Sequence, residues 1–70
     1  MKWLMWEAKA AADQIDALVV WLLDRAPAGA QVYRSVDRVV LVAELPAPLP
    51  EPPAELVARP PHAWNFDRVR

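Results

Sequence analysis

The sequence predicts a small α+β domain, a four-stranded antiparallel sheet with one main helix across one of its faces. Three observations carry that expectation. The opening stretch Met1–Lys9 reads as a strand that is mostly apolar on both sides: Leu4, Trp6 and Ala8 on one face, Trp3, Met5 and Glu7 on the other. Arg38–Leu45 repeats the double loading, with Val39, Leu41, Ala43 and Leu45 on one face and Val40 and Val42 on the other. Between them, Ile15, Leu18, Val19, Leu22 and Ala26 keep the i, i+3, i+4, i+7 spacing of a helix with one apolar stripe.

The remaining elements follow in order. Asp13 is placed to cap the helix, with Asp16 in the position a capping box uses and both carboxylates at the positive end of the helix dipole. A helix over Gln14–Ala26 would run about 20 Å, and Pro27 and Gly29 end it. Trp21 sits on the flank of the stripe. Gln31–Val36 is a more polar strand and reads as an edge, joined tightly to the next strand around Asp37. Asp37-Arg38 departs from the Asn-Gly or Asp-Gly that a two-residue hairpin loop prefers. Seven of the eight prolines then fall between Pro46 and Pro61, which makes a stiff, extended crossover. Ala54–Ala58 has room for a turn of helix, with Pro53 at its tolerated first position. His62–Val69 closes the chain as a strand, Trp64 and Phe66 on one face, Asn65 and Asp67 on the other.

Strands loaded on both sides belong in the middle of a sheet and polar ones at its edges. With a right-handed crossover the order becomes 4-1-3-2, the ferredoxin-like split βαβ arrangement with its second helix reduced to a stub. The chain is then a single domain over 1–70, with the proline-rich crossover at 46–61. Opposite charges across the ladder favour a register that sets Glu7 opposite Arg38 rather than Lys9 opposite Arg38. Glu44 falls near the amine of Met1. The face away from the helix collects Trp3, Met5, Glu7, Tyr33, Arg38, Val40, Val42 and Glu44. One helix cannot cover both sides, so a second body is expected there.

Composition narrows the possibilities. Seventy residues is near the size at which a single core is marginal. With no cysteine there are no disulfides, and with one histidine no structural zinc site is expected. A hydrophobic content of 56% with four tryptophans favours a homodimer through the sheet face, with Trp3, Met5, Glu7, Tyr33, Val40, Val42 and Glu44 as the contact residues. A net charge of −1 without a basic run argues against nucleic acid as a partner. The apolar run Ala17–Leu23 is too short to span a bilayer and no secretory signal is visible, so no membrane partner and a cytoplasmic location are expected.

Few residues invite chemistry. His62 is the only imidazole, the side-chain type suited to proton transfer near neutral pH, and follows the stiff Pro60-Pro61 pair. It is a candidate base or ligand contact, against the simpler reading of a solvent-facing residue at the start of a strand. Trp3, Trp6, Trp21 and Trp64 could line a pocket for a flat aromatic ligand, while core and dimer packing accounts for at least two of the four without one. Arg34 either snorkels outward from an edge strand or anchors an anionic group. Glu7 and Glu44 share a face but lie towards opposite ends of it, as structural ion pairs would. The PxxP spacing at Pro50–Pro53 is better suited to a rigid connector than to docking in an aromatic groove. There is no phosphate loop, nucleophile elbow or metal motif, and no cofactor is expected.

The stretches "KWLMWEAK", the following helix, "VYRS" and "RVVLVAEL" together resemble the dimeric α+β barrel superfamily, which includes antibiotic-biosynthesis-monooxygenase-like proteins. The resemblance implies two sheets packed through the faces away from their helices. It also implies a site between helix and sheet or inside the barrel, where the oxygenase and haem-degrading members use Asn, Trp and His or Arg drawn from different elements. Here His62, Trp64 and Asn65 fall in one strand with Asn65 facing the other way, a departure from that pattern. The expected function is therefore a small homodimeric binding or accessory protein. The alternatives are a cofactor-independent monooxygenase- or cyclase-like enzyme acting on an aromatic substrate, with Trp21, Arg34, His62 and Trp64 as ligand contacts, and a small subunit of a larger enzyme.

Overall fold

A computed structural model describes residues 2–48 and 50–70. Its elements are β1 (Lys2–Lys9), α1 (Ile15–Arg25), β2 (Gln31–Arg34), β3 (Arg38–Glu44), a short 3-10 turn (Ala54–Leu56) and β4 (His62–Asp67). The strands form one sheet in the order β2-β3-β1-β4, which read from the β4 edge is 4-1-3-2. Every neighbouring pair is antiparallel. β1 and β3, the two strands apolar on both sides, are central.

Their even–odd alternation builds the core. Leu4, Trp6 and Ala8 of β1 and Val39, Leu41 and Ala43 of β3 are buried beneath Leu18 and Leu22 of α1. Ile15, Val19, Trp21 and Ala26 pack at the margin of this cluster, so the helical stripe lies where its spacing puts it. Leu45, Ala47, Leu56 and Val57 from the proline-rich stretch close the core on the side α1 leaves open. That stretch is tied down by backbone bonds on either side of an Ala10–Val57 bridge: Ala11 N–H donates to Leu56 at 2.9 Å and Ala58 N–H to Lys9 at 2.9 Å.

Several local expectations are corrected. Trp6 faces Leu41 and Ala8 faces Val39, so Glu7 stands opposite Val40, and Lys9 opposite Arg38. The register with Glu7 opposite Arg38 is not the one adopted; the observed one is shifted by two residues and pairs Arg38–Glu44 with Lys9–Trp3. It also adds backbone bonds at both ends, Leu45 N–H to Lys2 at 2.9 Å and Ala10 N–H to Asp37 at 2.8 Å. The charges lose nothing, since the Arg38 guanidinium reaches diagonally to Glu7 at 2.9 Å.

Asp13 does not cap the helix. Gln14 holds the cap position without a side-chain cap bond, and α1 runs Ile15–Arg25 rather than Gln14–Ala26. The backbone stays extended as far as Ala11, held by its bond to Leu56, so Ala12 and Asp13 must reverse the chain by themselves. Asp13 takes φ +62° in a turn closed by Gln14 N–H to Ala11 at 3.0 Å, a conformation aspartate tolerates better than most residues. The far end of the helix is turned in the same way: Gly29 has φ +82° and Ala30 N–H donates to Pro27 at 3.1 Å.

The hairpin between β2 and β3 closes on Val36-Asp37 rather than Asp37-Arg38. Ser35 N–H donates to Arg38 at 2.8 Å, and the Ser35 hydroxyl accepts from Arg38 N–H at 3.0 Å. Neither Val36 nor Asp37 takes positive φ, so a serine side chain does what Asn-Gly geometry would otherwise do. β2 accordingly stops at Arg34 and β4 at Asp67. The expected turn over Ala54–Ala58 shrinks to Ala54–Leu56 with Pro53 before it, because Val57 is drawn into the bridge with Ala10. Met1, expected beside Glu44, lies outside the described residues, as does Leu49 in the crossover.

Leu22 and Leu23 are neighbours on α1, yet Leu22 is fully buried and Leu23 is 60% exposed. Leu22→Ala should cost about 2–5 kcal/mol and Leu23→Ala within about 0.5 kcal/mol. Urea unfolding of both variants checks this; equal losses would place the helix on the wrong stripe.

Candidate functional site: the open face of the sheet

The side of the sheet turned away from α1 is laid out in rows by the strand registers. One row runs Tyr33, Val40, Glu7, His62; the next Gln31, Val42, Met5, Trp64; the last Glu44, Trp3, Phe66. The middle of this surface is apolar, built from Val42, Met5, Trp3, Trp64 and Phe66 with Val40 and Tyr33 adjoining. Its rim carries Gln31, Glu44, Arg38, Lys9, Glu7 and His62. Met5 is 38% exposed, Trp64 45%, Phe66 48% and Tyr33 56%. A contiguous apolar patch with a polar rim is the anatomy of an interaction surface.

Polar contacts on this side are few and local. Arg38 and Glu7 form the cross-strand ion pair, both partly exposed. Tyr33 donates its hydroxyl to Gln31 Oε1 at 2.8 Å, and the His62 and Trp64 rings stack with centroids 5.9 Å apart. The Arg68 guanidinium lies 6.0 Å over the Trp3 ring. Trp3 Nε1 is the one buried side-chain polar atom without a hydrogen-bond partner among the described residues, and an unmet donor of this kind costs about 1–3 kcal/mol.

The four residues expected to share a ligand are split between two surfaces. Trp21 is half-buried on α1 with the Arg25 guanidinium 4.9 Å over its ring. Arg34, on the helix side of β2, is neither loose nor aimed at a cavity; it donates to Asp16 of α1 at 2.8 Å. His62 and Trp64 lie at the opposite edge of the sheet and on its other face. The depression beside Trp21, about 560 Å³ and open, is lined by α1 residues alone, with neither Arg34 nor His62 among them. Glu7 and Glu44 also stay apart, Glu7 on Arg38 and Glu44 opposite Trp3.

Sequence reasoning left Gln31, Lys9, His62, Trp64, Phe66 and Arg68 out of this surface, having set His62 and Trp64 in a ligand pocket instead. Phe66 had a usable signal, because it alternates with Trp64, so whichever face takes one takes both; the observed register with β1 sets them beside Trp3 and Met5. Arg68 had none, since it lies past the end of β4. Among the described residues no group of three or more His, Asp or Glu side chains is placed to hold a metal ion, and no helix is long and apolar enough to cross a membrane.

The Arg38–Glu7 pair is partly exposed, so it should contribute little to stability. A double-mutant cycle with Arg38→Ala and Glu7→Ala should give a coupling of about 0.2–1 kcal/mol that shrinks in high salt. A larger, salt-insensitive coupling would mean that something covers the pair in solution.

No family model matches the chain, and neither a curated protein nor a solved structure matches it.

Proposed function

We propose that the chain is a small homodimeric protein of binding or accessory type, ferredoxin-like in topology, with the open face of its sheet given to a second copy. The observation that carries this reading is the row structure of that face: seven apolar side chains (Trp3, Met5, Tyr33, Val40, Val42, Trp64 and Phe66) side by side across four strands, with no helix over them. Covering them removes apolar surface from water, the main favourable term in association, and a chain of 70 residues without disulfides gains most from it. The resemblance to the dimeric α+β barrel superfamily points the same way.

A face given to self-association has no need of a catalytic constellation. Its rim is suited to fixing orientation: the Glu7–Arg38 pair, Lys9 and Glu44 put charges of both signs around the apolar centre, which a two-fold operation can set against each other.

Sedimentation equilibrium tests the reading. The native chain should associate at micromolar concentration, and Val42→Lys, at the centre of the patch, should halve the assembled mass. Val20→Lys, on the outer side of α1 where Val20 is 68% exposed, should leave the mass unchanged. A native chain that sediments as a single copy at 100 times that concentration, or a Val42→Lys variant of unchanged mass, would contradict it. Association seen only after a different protein is added would assign the face to a heterologous partner.

A further inference from the structure

The two edges of the sheet differ. β2 offers four residues, two of which turn their backbone groups outward, and one of those two is Arg34. β4 offers six residues, His62–Asp67, with neither proline nor lysine among them and all of them exposed. Long, regular sheet edges without proline or lysine are templates for another strand, and the one carboxylate on this edge, Asp67, is held by Lys2.

The hydrogen-bond phase says which groups β4 presents. Even-numbered residues of β1 turn to β3: the Lys2 carbonyl accepts from Leu45 and the Ala10 N–H donates to Asp37. Odd-numbered residues turn the other way, as the Lys9 carbonyl does in accepting from Ala58. Trp3, Met5 and Glu7 are therefore the hydrogen-bonded partners of Phe66, Trp64 and His62. The residues between, Ala63, Asn65 and Asp67, point N–H and C=O away from the sheet. Their side chains lie on the helix side, where Ala63 faces Trp6, Asn65 faces Leu4, and Asp67 bonds Lys2 at 3.0 Å.

We propose that β4 is a second self-association surface, on which two copies join β4 to β4 antiparallel about Asn65, running two four-stranded sheets into one. Only a two-fold axis normal to the sheet keeps open face with open face, and it requires residues of like parity to stand opposite one another. Pairing about Asn65 satisfies every outward group: Asn65 bonds its own counterpart and Ala63 bonds Asp67, for about six backbone hydrogen bonds. Pairing about Trp64 would bring Asp67 against Pro61, which has no N–H to give. In the favoured register Trp64 stands opposite Phe66 of the other copy, twice over, in the closer non-hydrogen-bonded positions where aromatic pairs interact best. Asp67 meets Ala63, so no like charges are directly opposed. The occupant is therefore a second copy of this chain rather than an unrelated strand. The edge pairing goes beyond the face packing proposed above; with both in use the assembly holds four copies.

The chain has no cysteine, so a single introduced thiol reports the contact cleanly. About the two-fold axis the Asn65 Cα atoms lie about 5.5 Å apart, inside the roughly 4.4–6.8 Å that a disulfide spans. Those of Ala63 lie about 14 Å apart, four residues out of step along the strand. Under mild oxidation Asn65→Cys should convert to a covalent dimer at least tenfold faster than Ala63→Cys or Asp67→Cys. Cross-linking of all three at one slow rate would overturn the edge pairing. Packing through the open face alone keeps a thiol at position 65 on the outer, helix-bearing sides of the two sheets. Oxidation of Asn65→Cys therefore reads the edge, while the mass of Val42→Lys reads the face.

Discussion

The constraint behind this molecule is that β1 and β3 are apolar at the middle of both their sides, with charges only towards the strand ends. A strand alternates its side chains, and in an antiparallel sheet with helix on one face the other face is ordinarily left to water. Here Leu4, Trp6, Ala8, Val39, Leu41 and Ala43 fill one face and Trp3, Met5, Val40 and Val42 the other. A single eleven-residue helix covers the first. Nothing in the described chain covers the second, and β4 widens it by adding Trp64 and Phe66. The architecture of the domain and its proposed role both follow from that surplus.

The helix side shows how the same chain economises. A second helix over β1 and β4 would need ten or more residues of regular structure. The sequence instead supplies prolines, and the stretch from Leu45 to Pro61 lies against the core through Ala47, Leu56 and Val57. Proline lowers the entropy of the unfolded chain, and the bonds flanking the Ala10–Val57 bridge fix where the connector touches down. The polar side chains of β4 (Asn65 and Asp67) lie at this less covered end of the layer, while its aromatic ones turn to the open face.

Much of this was legible in the residues. Period-two alternation in Met1–Lys9 and Arg38–Leu45 and the stripe from Ile15 to Ala26 place the core correctly, because burial decides which face a side chain takes. The details that were missed depend on competition between local and long-range bonds. Charge opposition between Glu7 and Arg38 is too weak to choose the register, and a diagonal contact keeps the ion pair anyway. Asp13 looks like a cap from its neighbours alone; it becomes a left-handed turn residue because Ala10 and Ala11 are bonded to Asp37 and Leu56, distant in sequence. Ser35 replaces the expected turn chemistry through its hydroxyl. The candidate ligand contacts dispersed for a similar reason: Arg34 finds a carboxylate on α1, a pairing that only the helix's placement over β2 and β3 could reveal.

Whether a second copy lies on the open face is tested most directly by isotope-filtered NOE spectroscopy on an equal mixture of labelled and unlabelled chains. Cross-peaks between the Met5 and Val42 methyl groups of one copy and aromatic protons of another are the predicted result. A spectrum at millimolar concentration with no intermolecular peaks to either residue would contradict the account.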